Sequence, residues 1–113
     1  MRNIRGYVVE RLMTQALMDR HVGFFREAAA NAEDEQKKAA ILASLADYEV
    51  GCTPVGGWFA LWKRVHYVEA KQKIVELRRR IPDGVFRIMP AMLVVNERGL
   101  VERYEVLEWR ARA

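Results

Sequence analysis

The chain has 113 residues, 51% of them hydrophobic and 30% charged, and its 19 Lys and Arg outweigh 15 Asp and Glu for a net charge of +4. That composition supports a single domain over residues 1–113, and with 7 Gly and 3 Pro it excludes a collagen-like, low-complexity or disordered chain. The longest nearly apolar run, Met89–Val95, contains Pro90 and falls well short of the ~20 residues a membrane helix requires, so no membrane partner is expected.

At the amino terminus, Glu10 and Arg11 interrupt the stretch where a secretory signal would carry an unbroken apolar core. A single cysteine, Cys52, precludes an internal disulfide and points to a reducing, cytoplasmic compartment. Met13, Leu17, Phe24 and Ala28 recur at helical spacing and predict a long first helix from about Tyr7 to Ala30, although residues 2–8 also suit an additional strand. Asn31, followed by Glu33, Asp34 and Glu35, reads as the N-cap of a second helix over Ala32–Val50 that stops at Gly51; the two helices form a hairpin.

Gly51-Cys52-Thr53-Pro54-Val55-Gly56-Gly57 is the most loop-like stretch. A third helix is expected from about Trp58 to Arg80, closed by Pro82-Asp83-Gly84. It would have two apolar stripes on nearly opposite sides: Trp58, Leu61, Trp62, Val65 and Val68, and then Tyr67, Ala70, Ile74, Leu77 and Ile81. The final third switches period. Phe86–Val95 and Leu100–Trp109 are two strands joined by Asn96-Glu97-Arg98-Gly99, a type I turn closed by a left-handed Gly. In that register Val95 faces Val101, Met92 faces Tyr104, Met89 faces Leu107, Arg87 lies over Trp109, and Pro90 belongs at a bulge or an outer edge. The expected fold is therefore α+β: three helices, a long helical hairpin plus a basic third helix, followed by a C-terminal β-hairpin.

Catalytic constellations are scarce in this pattern. Gly51 and Gly56 match the glycines of a phosphate-binding loop, but Gly57 and Trp58 stand where Lys and Ser or Thr are needed. Trp58 also occupies the position where a cysteine phosphatase loop starting at Cys52 would place Arg. His21 and His66 lack a ligand-spaced partner, and Ser44, the only serine, sits mid-helix outside any nucleophile motif. No metal, cofactor or enzymatic activity is expected.

Charge is unevenly placed. Residues 1–57 carry seven basic and eight acidic side chains, and residues 58–113 carry twelve and seven. Arg64, Lys71 and Arg78, spaced by seven, would form a stripe on the third helix that Arg79 and Arg80 extend; a solvated face with arginines at the negative end of the helix dipole accounts for them as well. Three helices followed by a hairpin resembles, in element order, a winged helix–turn–helix domain, which implies DNA reading by the third helix with Arg98 at the tip of the wing. The leading expectation is a non-enzymatic regulator or inhibitor that docks on another protein or nucleoprotein complex, self-associating as a homodimer through Tyr67, Ile74, Leu77 and Ile81. The alternative is a nucleic-acid-binding regulator using Arg64, Lys71, Arg78, Arg79, Arg80 and Arg98.

Overall fold

The computed structural model describes residues 1–107 and divides into two compact units, one formed by Met1–Leu12 with the chain from Trp58 onward, the other by Met13–Gly57. The element order is β1 (Arg2–Leu12), α1 (Gln15–Ala30), α2 (Glu35–Gly51), β2 (Trp58–Arg64), α3 (Tyr67–Arg80), β3 (Phe86–Val95) and β4 (Val101–Val106). This remains an α+β chain of three helices, but the expected order of three helices followed by a hairpin is overturned. A strand comes first, and the residues expected to open the third helix form a second strand, so the order no longer resembles a winged helix–turn–helix domain.

The first unit is a four-stranded antiparallel sheet in the order β2-β1-β3-β4. Its central strand β1 alternates. Tyr7 and Val9 point to the side on which α3 packs, with Ala70, Ile74, Leu77 and Phe86, whereas Ile4 and Val8 point to the other side with Ala91, Leu93 and Val95. Only residues 7–9 are apolar on both faces, and over so short a run the strand's period of two is easily lost from sight.

Strand β2 corrects the other half of the expectation. Its register against β1 slips between Val9 and Glu10, which pair with Trp62 and Ala60, leaving Leu61 as the extra residue of a bulge. The bulge shifts the alternation by one, so Trp58, Leu61, Trp62 and Val65 acquire the spacing of a helix while lying on a strand and its exit. The two opposed stripes of the expected helix thus belong to two elements.

The β3–β4 turn forms as expected: Gly99 has φ +79° and donates to Asn96 O at 3.0 Å, and Asn96 N donates to Leu100 O at 2.9 Å. Val95 pairs with Val101, but a bulge between Val94 and Val95 moves the rest by one, so Tyr104 pairs with Leu93 and Glu105 with Met92. Pro90 lies neither at a bulge nor on an edge but within the central strand β3, opposite Tyr7 and with its carbonyl accepting from Leu107 N at 2.9 Å. Trp109 lies outside the described residues, and Arg87 stacks on Trp58 instead, 4.1 Å from the ring centroid.

The second unit is a helical hairpin. Thr14 caps α1, its side chain accepting from Leu17 N. Asp34, not Asn31, caps α2, accepting from Lys37 N at 2.7 Å, while Asn31 closes α1 through its backbone N–H. The unit is pinched at its base, where Met13 N donates to Gly57 O and Gly56 N donates to Met13 O, both at 2.8 Å. Gly56 turns there with φ +90°, a conformation that suits glycine.

Candidate binding surfaces

The side of the sheet facing away from α3 is concave. Lys63 is level with Val8 and Met89, and Tyr104 is level with Ile4 and Leu93, so the two occupy diagonal corners. In a flat sheet those corners would be on the order of 20 Å apart. Here Lys63 Nζ lies 5.1 Å from the centroid of the Tyr104 ring. The two long side chains reach toward each other across β1 and β3, and the right-handed twist of the strands brings their corners together on this side. Val8, Ala91 and Leu93 are completely buried there beneath side chains such as Ile4, Ala60, Met89 and Val101.

One charged pair lies on this side. Glu10 is the sole buried charged residue among those described, and Arg87 Nε donates to its Oε1 at 2.8 Å from the neighbouring strand. Stacking of Arg87 on Trp58 completes a Glu-Arg-Trp cluster. None of these three was singled out in advance for this role. The available signal is the alternation of Ile4, Val8 and Glu10, which places a carboxylate on an inward face and so demands a cation from another strand.

Tyr104 joins the same side. Burial, and after it the Glu10 carboxylate, raises its phenol above the ordinary 10.0. Because the folded value is the raised one, the stability that the neutral phenol contributes is fully present below the unfolded pKa and is lost as pH rises through the folded pKa. Tyr104→Phe is accordingly expected to flatten the alkaline limb of the stability curve, measured as urea midpoints from about pH 9 to 11. A limb as steep as that of the wild type would place the alkaline loss elsewhere.

Along the concave side runs an open groove of about 790 Å³, walled by Ala60–Val65 on one flank and Gly99–Val101 on the other. Ile4 lies on its floor with the buried Leu93 and Val95 beneath, and Arg2, Lys63 and Arg64 bring positive charge to it.

The predicted basic stripe is split. Arg64 belongs to β2, where its guanidinium lies 4.5 Å from the Trp62 ring centroid and donates to Lys63 O, so it does not continue the row of Lys71 and Arg78. Lys71, Arg78, Arg79 and Arg80 remain on α3 and are exposed. Arg80 pairs with Glu76 at 3.4 Å, and Lys73 pairs with the same carboxylate at 3.6 Å. Lys71, whose ammonium lies 5.8 Å from the Tyr67 ring centroid, Arg78 and Arg79 have no carboxylate partner among the described residues. Val68 and Val75 share the outward surface with Arg79 and are 65% and 54% exposed. Arg98 stands apart at the β3–β4 turn.

The residues expected to mediate self-association are used within the chain. Ile74 and Leu77 are buried against Val9 and Phe86, and Ile81 packs on the same cluster. Tyr67 alone is substantially exposed, and its ring lies 5.1 Å from that of Tyr7. A dimer built on these four is therefore not available without opening the core.

In the helical hairpin, His21 Nδ1 lies 2.5 Å from the Tyr48 hydroxyl, and Phe25 stacks beside Tyr48. Burial, and then Cys52, raises the Tyr48 phenol above its usual value. Cys52 itself points its Sγ at Glu49 O, 3.7 Å away. Among the described residues no His, Cys, Asp or Glu group converges as a metal site, and no helix is long and apolar enough to cross a membrane. No family model matches the chain, and no curated protein or solved structure matches it either.

Proposed function

We propose that this chain is a non-enzymatic binding module that docks on an acidic surface of another protein through the outward face of α3. The observation that carries this reading is the combination on one helix of three cations without carboxylate partners, Lys71, Arg78 and Arg79, and two exposed valines, Val68 and Val75. Apolar anchors ringed by arginine suit a docking face, and the cations select an acidic partner and speed its approach. The core is complete beneath this helix, so the outward residues contribute little to folding.

The triple variant Lys71→Gln, Arg78→Gln, Arg79→Gln is therefore expected to keep its stability within about 0.5 kcal/mol per site and to lose affinity for its partner by tenfold or more. Capture from host lysate after nuclease treatment, followed by quantitative binding of the captured protein to wild type and variant, checks this. A partner retained equally by the variant would refute the reading.

A nucleic-acid partner is the second reading, favoured by the stacking of Arg64 on Trp62 and of Lys71 on Tyr67, which pairs cations with aromatic rings that could take bases. It requires capture that depends on nucleic acid and a log–log salt slope that falls by about 3 in the triple variant.

A further inference from the structure

The groove on the concave side differs from an ordinary surface depression in how its wall is built. Six consecutive residues of one stretch, Ala60–Val65, line it. The bulge at Leu61 breaks the alternation of side chains at the start of the run, and from there on a continuous run borders one groove where the groove follows the strand's edge. That edge is open: β2 is the outermost strand, paired with β1 alone. Strand β1 also outruns β2, because their pairing begins at Tyr7, so residues 2–6 add a second length of unpaired edge at the same end. Unpaired strand edges are templates for another strand. The opposite wall is Gly99–Val101, across the groove.

Charge identifies the occupant. Arg2, Lys63 and Arg64 line the groove and no acidic residue does. A second copy pairing β2 to β2 would bring the same cations together, whereas acidic side chains would neutralise them. We propose that the groove accepts an extended acidic segment of another protein as an added strand along β2, the carboxylates of one row of side chains directed at Arg2 and Lys63 on the concave side and apolar side chains forming the alternate row. Main-chain hydrogen bonds to the edge supply affinity, and the alternation supplies selectivity. This surface is separate from the outward face of α3, so it stands or falls independently of that reading.

The test is titration of the full, unaltered chain with a capped octapeptide alternating valine and glutamate, followed through backbone amide shifts. Saturable shifts confined to Ala60–Val65, Gly99–Val101 and the β1 start are expected. Replacing the glutamates by lysines should weaken binding at least about tenfold. N-methylating the peptide nitrogens that face β2 should abolish binding, whereas methylating the alternate set should leave it nearly unchanged. Because these changes are made in the peptide, folding of the protein is not at issue. The proposal is overturned by equal binding of both methylated forms, by undiminished binding of the lysine peptide, or by no binding up to about 1 mM. It is equally overturned if dodecanoate saturates the groove while the peptide does not bind, or if Ala60–Val65 broadens with protein concentration alone, as a second copy would cause.

Discussion

Replacing Arg87 by methionine is expected to destabilise the protein by about 3–5 kcal/mol, because it leaves a carboxylate uncompensated in the interior. The side chain of Glu10 is only 4% exposed, and Arg87, 2.8 Å away, is its charged partner. The reverse change is milder. Arg87 is 36% exposed and rests on Trp58, so after Glu10→Gln its guanidinium keeps both water and the ring, and a loss of about 1–2 kcal/mol follows. Replacing both partners together, Glu10→Leu with Arg87→Met, should recover most of the larger loss, since a buried pair exchanged for apolar groups is close to neutral. Urea unfolding of the three variants checks this. Equal costs for the two single changes would show that the asymmetry of burial does not govern the pair.

Leu93→Ala is expected to cost about 2–5 kcal/mol, for Leu93 is fully buried at the centre of the concave side and its removal leaves a cavity between strands. Its neighbour makes the prediction sharper. A Cβ added at Gly6 would stand 2.6 Å from Leu93 Cδ1 and 2.7 Å from Arg64 O. Gly6→Ala alone is therefore expected to cost about 1–3 kcal/mol through overpacking. In the Leu93→Ala background it should cost less, since one of the two clashes has gone, yet remain unfavourable because the Arg64 carbonyl belongs to the backbone of β2. A double-mutant cycle by urea unfolding measures the coupling. Simple additivity would mean that the glycine accommodates β2 alone.

Local chemistry made some parts of the fold legible in the sequence. The Asn96–Gly99 turn could be read because its geometry depends on an Asn and a Gly at fixed spacing. The helical hairpin was legible in part: both helices form, but residues 7–12, expected to open the first, belong to β1, and Phe24 of the expected apolar stripe is exposed. The strands β1 and β2 were hidden for two different reasons: β1 has apolar residues on both faces only over residues 7–9, too short a run to show its period, and the bulge at Leu61 gives β2 the spacing of a helix. The register beyond Val94 was displaced for the same kind of reason, since a bulge has no composition of its own. The cations of the proposed docking face were visible as a basic stretch, but Arg64 fell away from it once its helix became a strand. The Glu10–Arg87 pair spans 77 residues, and no local pattern encodes a partner at that distance.

The position of β1 in the sheet has a consequence for how the protein is made. It is the first strand to be synthesised, yet it lies between two partners that come much later, β2 at Trp58–Arg64 and β3 at Phe86–Val95. At the pace of translation, its apolar residues Val8 and Val9 stay without a sheet for on the order of ten seconds, while the helical hairpin, whose contacts are short in sequence, can already close. A strand waiting in that state is exposed to pairing with other chains. Arg2, Arg5, Glu10 and Arg11 space charges along it, and such charges discourage aggregation. Glu10 thus has two successive roles: a solubilising charge in the nascent chain, and an ion-pair partner only once Arg87 has been made.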